Sequence, residues 1–170
     1  MRKIDIKKLS IGSAQLDTNY GLGSNSLTIY EFEKILEIAN KMKINNLDTA
    51  SDYLNSENII GKLKISKRFK ITTKLEKFDK IKKLEKKIDS LEKSIYFSLR
   101  NLKRKSIDSL LFHESKSLLK KNGDKIYKKL MDFKSNKIIN KIGISIYNIK
   151  EFDCLIRNYD FDIVASYPVE

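Results

Sequence analysis

Short apolar runs alternate with amphipathic stretches along the chain. Leu9-Ser10-Ile11-Gly12 reads as a first strand, and residues 13–26 as a loop rich in turn formers. A helix is predicted over residues 27–42, where Phe32, Ile35, Leu36 and Ala39 recur at helical spacing. Thr28 suits its N-cap, and Glu31 three residues on completes a capping box. Residues 44–48 read as a short second strand and 56–64 as a short helix. Arg68 to Thr73, with its β-branched residues, reads as a third strand. A long helix is predicted over 83–103, with Leu84, Ile88, Leu91, Ile95, Leu99 and Leu102 on one stripe. Strands are then predicted at 107–112, 139–144 and 161–165, separated by helices at 125–135 and 149–158. Strands spaced by helices imply βαβ units and a parallel sheet, either a doubly wound open sheet or a (β/α) barrel. No Gly-x-Gly-x-x-Gly follows the first strand and no phosphate-binding loop is present; Gly21-Leu22-Gly23 sits in mid-loop.

Length and composition narrow the picture. With 170 residues, 41% hydrophobic and 34% charged, the chain suits one soluble globular domain spanning 1–170. No apolar run approaches the ~18 residues of a membrane span. The start, Met1-Arg2-Lys3-Ile4-Asp5, lacks an apolar signal core, so a cytoplasmic location is expected. Cys154 is the one cysteine, which excludes an internal disulfide. A net charge of +13 raises nucleic acid as a partner. The excess is nearly all Lys, however, and Arg is the residue suited to bidentate phosphate recognition. Abundant Lys, Asn and Ile together fit codon bias in an A/T-rich genome, and the charge then serves solubility.

The chemistry gathers at strand ends. In a (β/α) barrel, reactive residues stand where strands run into the following loops. Strand two ends at Asp48, followed by Thr49-Ala50-Ser51-Asp52-Tyr53; strand three ends at Lys74, strand four at His113 and strand five at Ser145. Four successive units thus place a polar group on one rim. A Tyr hydroxyl, with an ordinary pKa near ~10, exchanges its proton more easily beside an ammonium. A carboxylate keeps that ammonium charged and aimed, and a His can orient a substrate carbonyl. Tyr53, Lys74, Asp48 and His113 supply those four parts.

The same residues resemble the aldo-keto reductase family. Leu47-Asp48-Thr49-Ala50-Ser51-Asp52-Tyr53-Leu54-Asn55-Ser56-Glu57-Asn58-Ile59-Ile60-Gly61 looks like that family's D-T-A-x-x-Y-G-x-S-E-x-x-L-G signature. Ile71-Thr72-Thr73-Lys74 resembles its strand ending in Lys. The stretch from Leu91 to Leu102, then Ile107 to His113, is similar to its S-L-x-x-L…D-L-x-x-x-H segment. Ile142-Gly143-Ile144-Ser145 resembles its I-G-V-S strand. The resemblance implies NADPH-dependent reduction of an aldehyde or ketone, a small carbonyl compound. Tyr53 would be the proton donor, tuned by Lys74 and Asp48, with His113 positioning the carbonyl. Ser145 would contact the nicotinamide amide, and Ser13 would line the cofactor.

Three departures stand out. Leu54 replaces the usual Gly after the Tyr, and Ala165 or Ser166 stands where strand six commonly carries Gln. The chain has 170 residues, against about 250 for a TIM barrel. The expected fold is therefore an incomplete (β/α)8 barrel of about six βα strands, lacking the last two units. The expectations that follow are weak NADPH binding and self-association through open sheet edges. The alternatives are a non-catalytic remnant or assembly partner of a reductase and, less favoured, a basic nucleic-acid binder.

Overall fold

A computed structural model describes residues 5–16, 27–77 and 81–166. Most of the loop read at 13–26, with Gly21-Leu22-Gly23, lies outside the described residues, as do the first four and last four positions. Among the described residues, six strands alternate with five α-helices: β1 (Ser10–Gly12), α1 (Ile29–Lys41), β2 (Asn46–Asp48), α2 (Ser56–Lys62), β3 (Lys70–Leu75), α3 (Leu84–Leu102), β4 (Ser109–Phe112), α4 (Gly123–Ser135), β5 (Ile142–Ile146), α5 (Ile149–Asn158) and β6 (Ile163–Ser166). Short 3-10 segments cover Ile6–Lys8, Lys64–Arg68 and Ser115–Leu119.

All six strands are parallel and pair in chain order, β1 to β6. Each connection runs through the helical layer, as parallel pairing requires. The sheet curls. A cleft of about 540 Å³ on one face is lined by Ser10 of β1, by Asp48 and Thr72, and by Ile163 and Ala165 of β6, so both outer strands look onto the same hollow. The architecture is the incomplete (β/α) barrel expected above, with β1 and β6 as its edges.

Strand alternation sorts the side chains. Leu47, Ile71, Leu75, Leu110, Phe112, Ile142, Ile144 and Ile146 face outward into two buried apolar clusters under the helices. The cluster beside β2 takes Phe32, Leu36 and Ala39 from α1 and Ile59 and Ile60 from α2, and the other takes Leu91 and Ile95 from α3. The alternate positions face the hollow: Asn46 and Asp48, Lys70 and Thr72, Ser109 and Leu111.

The capping box at α1 is present. Thr28 Oγ1 accepts from the Glu31 N–H at 3.2 Å, and Glu31 Oε2 accepts from the Thr28 N–H at 2.9 Å. Strand limits differ from the sequence reading. Ile107 and Ile139 are buried and apolar, yet they meet each other only in an isolated bridge, and the β4 and β5 ladders begin later, at Ser109 and Ile142. Apolar runs mark burial, which begins before ladder pairing does. β3 and β5 also continue past Thr73 and Ile144, to Leu75 and Ile146, so Lys74 and Ser145 lie within strands. Aspartates just ahead of two strands fix the bottom of the sheet. Asp108 Oδ2 accepts from the Ile71 N–H at 2.9 Å, and Asp162 Oδ2 accepts from the Ile142 N–H at 2.8 Å.

Candidate active site

Lys74 decides the geometry. It occupies the hollow-facing parity of β3, between Thr73 and Leu75, which point outward. Its side chain is 1% exposed, and Nζ donates to Asp48 Oδ2 at 2.7 Å and to the Thr49 carbonyl at 3.1 Å. The β2–β3 register makes this reach available, because Asp48 is paired with Thr72, two residues before Lys74. A buried ammonium is costly unless it is paired and hydrogen-bonded, so these two acceptors are what allow β3 to bury a lysine one residue before its end. The chain beyond β2 stays fastened to β3: the Ser51 N–H and Oγ both donate to the Lys74 carbonyl, at 3.2 and 3.0 Å.

That fastening carries Tyr53 over the site. A turn closed by the Tyr53 N–H donating to the Ala50 carbonyl at 3.1 Å leads into α2. The Lys74 ammonium lies 5.3 Å from the Tyr53 ring centroid. His113, just past β4, meets the same ring edge-on, with centroids 6.4 Å apart and planes at 87°. Asp48, Tyr53, Lys74 and His113, read from three separate stretches of sequence, therefore lie together at the C-terminal rim of the sheet.

Ser13 and Ser145 stand at either side. The Ser13 N–H donates to the Asp48 carbonyl at 3.0 Å, which extends β1 toward the rim. Ser145 lies in β5, and its carbonyl accepts from Ser115 Oγ at 3.1 Å, two residues beyond His113. Both hydroxyls are buried and have no hydrogen-bond partner among the described residues. Orphaned buried hydroxyls are uncommon; Thr49 Oγ1, just past β2, is a third, and Ser13 and Ser145 fit a polar group that would complete them.

Two participants escaped the sequence reading. Asp52 Oδ2 lies 3.1 Å from His113 Nδ1. Burial pushes the His113 imidazole below its ordinary pKa; the Asp52 carboxylate offsets this in part, while the Lys77 and Lys74 charges add to it. Glu57, on α2, is 2% exposed and accepts from Thr73 Oγ1 at 2.7 Å, on the outward side of β3 behind Lys74. Burial raises its pKa; Thr73, Ser98 and Asn101 offset this in part, and the charge of Asp52 adds to the rise. The signal for Asp52 was its place immediately before Tyr53. For Glu57 it was a carboxylate on the apolar face of a short helix.

Leu54 follows with a backbone φ of 39°, in the left-handed region. A side chain there is strained by roughly 1–2 kcal/mol, which gives a physical reason for the glycine common at this place in the resembled signature.

The fold and rim define a barrel-type α/β protein with its titratable groups gathered where the strands end. Comparison narrows this. The model of the aldo/keto reductase family matches residues 8–169, and the chain belongs to that family. No curated protein matches it. Among solved structures, an aldo-keto reductase from Pseudomonas aeruginosa is similar at 21% identity and a TM-score of 0.75, covering 92% of this chain and 61% of its own. One from Bacillus halodurans, in holo form, gives 19% and 0.72, with 94% and 52% covered. One from Bombyx mori, in complex with NADP, gives 21% and 0.64, with 92% and 52% covered. This chain thus spans 61% or less of the length of each of these three structures. Among the described residues, no helix is long and apolar enough to cross a membrane.

Proposed function

We propose that this chain carries the reaction site of an NADPH-dependent reductase acting on a small aldehyde or ketone. NADPH, when bound, would supply the hydride. Tyr53 would give its phenolic proton to the carbonyl oxygen, and the Lys74 ammonium would stabilise the phenolate left behind. Asp48 holds that ammonium in place. His113 would orient the substrate oxygen. The unpartnered Ser145 hydroxyl suits the carboxamide of a nicotinamide, and Ser13 suits a neighbouring polar group. The bound cofactor in the Bombyx mori structure supports the choice of nicotinamide. We also propose weak cofactor binding and self-association through β1 and β6, the two sheet edges.

The observation that carries this reading is the buried Lys74 ammonium, paired with Asp48 at 2.7 Å and 5.3 Å from the Tyr53 ring. The test is aldehyde-dependent consumption of NADPH over a panel of small carbonyl compounds. Tyr53→Phe should lower kcat by about 10²-fold or more, with NADPH binding, followed by fluorescence, unchanged. Equal turnover in wild type and Tyr53→Phe would sink the reading, as would wild-type protein that neither binds NADPH nor turns over.

A further inference from the structure

Asp52 immediately precedes Tyr53, and its Oδ2 lies 3.1 Å from Nδ1 of His113. An ionised carboxylate only accepts hydrogen bonds. Across that contact the proton would sit on Nδ1. In a neutral imidazole the second nitrogen, Nε2, is then left with a lone pair. A lone pair repels a carbonyl oxygen but accepts a hydrogen bond from a hydroxyl. Nε2 becomes a donor only when the ring is doubly protonated.

We propose that Asp52 is a positioning residue that fixes His113 in its Nδ1–H tautomer. The neutral ring then accepts from an alcohol hydroxyl, and the protonated ring donates to a carbonyl oxygen. The consequence at the substrate rests on the reductase reading; the tautomer does not.

The groups facing the ring come from three strands and the loops after them. Asp52 and Tyr53 follow β2, Lys74 lies in β3 with Glu76 and Lys77 beyond it, and Glu114 follows His113 itself. Lys77 is paired with Glu114 at 3.2 Å, which leaves Asp52 as the acceptor at Nδ1. Burial favours the uncharged ring, so the acceptor form prevails as pH rises. Carbonyl reduction should then fall with rising pH through the His113 titration, while oxidation of the corresponding alcohol holds.

The chain has one histidine, so nitrogen-15 long-range correlation spectra read this imidazole alone. In wild type above the titration, the spectrum should show Nδ1–H. Asp52→Ala should move the population toward Nε2–H, and Asp52→Glu should keep the wild-type pattern. Above the titration, kcat/KM for an aldehyde should fall about tenfold per pH unit in wild type, and less than about threefold in Asp52→Ala. Nε2–H in the wild type, or identical spectra for wild type and Asp52→Ala, overturns the proposal. Nδ1–H in wild type and Asp52→Glu but not in Asp52→Ala upholds it even if no aldehyde is turned over, and that failure then falls on the reductase reading alone.

Discussion

Lys74 and Glu57 lie on opposite sides of β3 and show how one strand handles two buried charges. Lys74 finds a carboxylate and a carbonyl, whereas Glu57 finds the Thr73 hydroxyl at Oε1 and no hydrogen-bond partner at Oε2 among the described residues. Lysine near the end of a strand is easily read from sequence as solvated, because its partners Asp48 and Thr49 are 25 residues or more away. Glu57 has a sharper consequence. Its pKa is raised by burial, so the folded protein holds this proton to higher pH than the unfolded chain does. The stability it contributes is fully present below the ordinary carboxylate pKa and is lost as pH rises through the folded value. Glu57→Gln keeps an acceptor for Thr73 and removes the titration. Urea unfolding should show the variant gaining on wild type between acid and neutral pH, and a constant difference across that range would refute this account.

Elements are held by what lies between them. α2 crosses α3 at Gly61, where a Cβ would stand 1.9 Å from the Asn101 carbonyl oxygen and 2.9 Å from the Leu102 carbonyl carbon. Backbone cannot yield as a flexible side chain does. Gly61→Ala should therefore cost at least about 2 kcal/mol, by analogy with overpacked cores, and should displace α2, which carries Glu57 and follows Tyr53. Thermal unfolding checks the first point; a Tm equal to wild type would contradict it. Helical periodicity made α1 and α3 legible, since burying a stripe dictates its spacing. Strand limits were less legible. A ladder begins where a neighbouring strand offers partners, and no local pattern records where the neighbour starts.

For the molecule as a whole, the decisive fact is an open, curled sheet with β1 and β6 at its edges. β4 and β5 are buried throughout, whereas β6 alternates between half-buried and exposed, with Val164 40% exposed. Unpaired strand edges template association. The 170-residue chain should show a mass in sedimentation that rises with concentration. Amide exchange in β1 and β6 should slow over the same range while β3 and β4 stay unchanged. A constant monomer mass with concentration-independent exchange at both edges would rule this out.

The sequence by itself determined the order of strands and helices, the apolar faces and the reactive residue types at the strand ends. Each of these follows from local periodicity or from which residue ends an apolar run. Only the tertiary structure decided that Asp52 meets His113 Nδ1, that Glu57 sits behind Lys74, and that Leu54 adopts a positive φ. Those facts depend on the register between strands and the approach of α2 to β3 and α3, which join residues distant in the chain through distances that no spacing along it encodes.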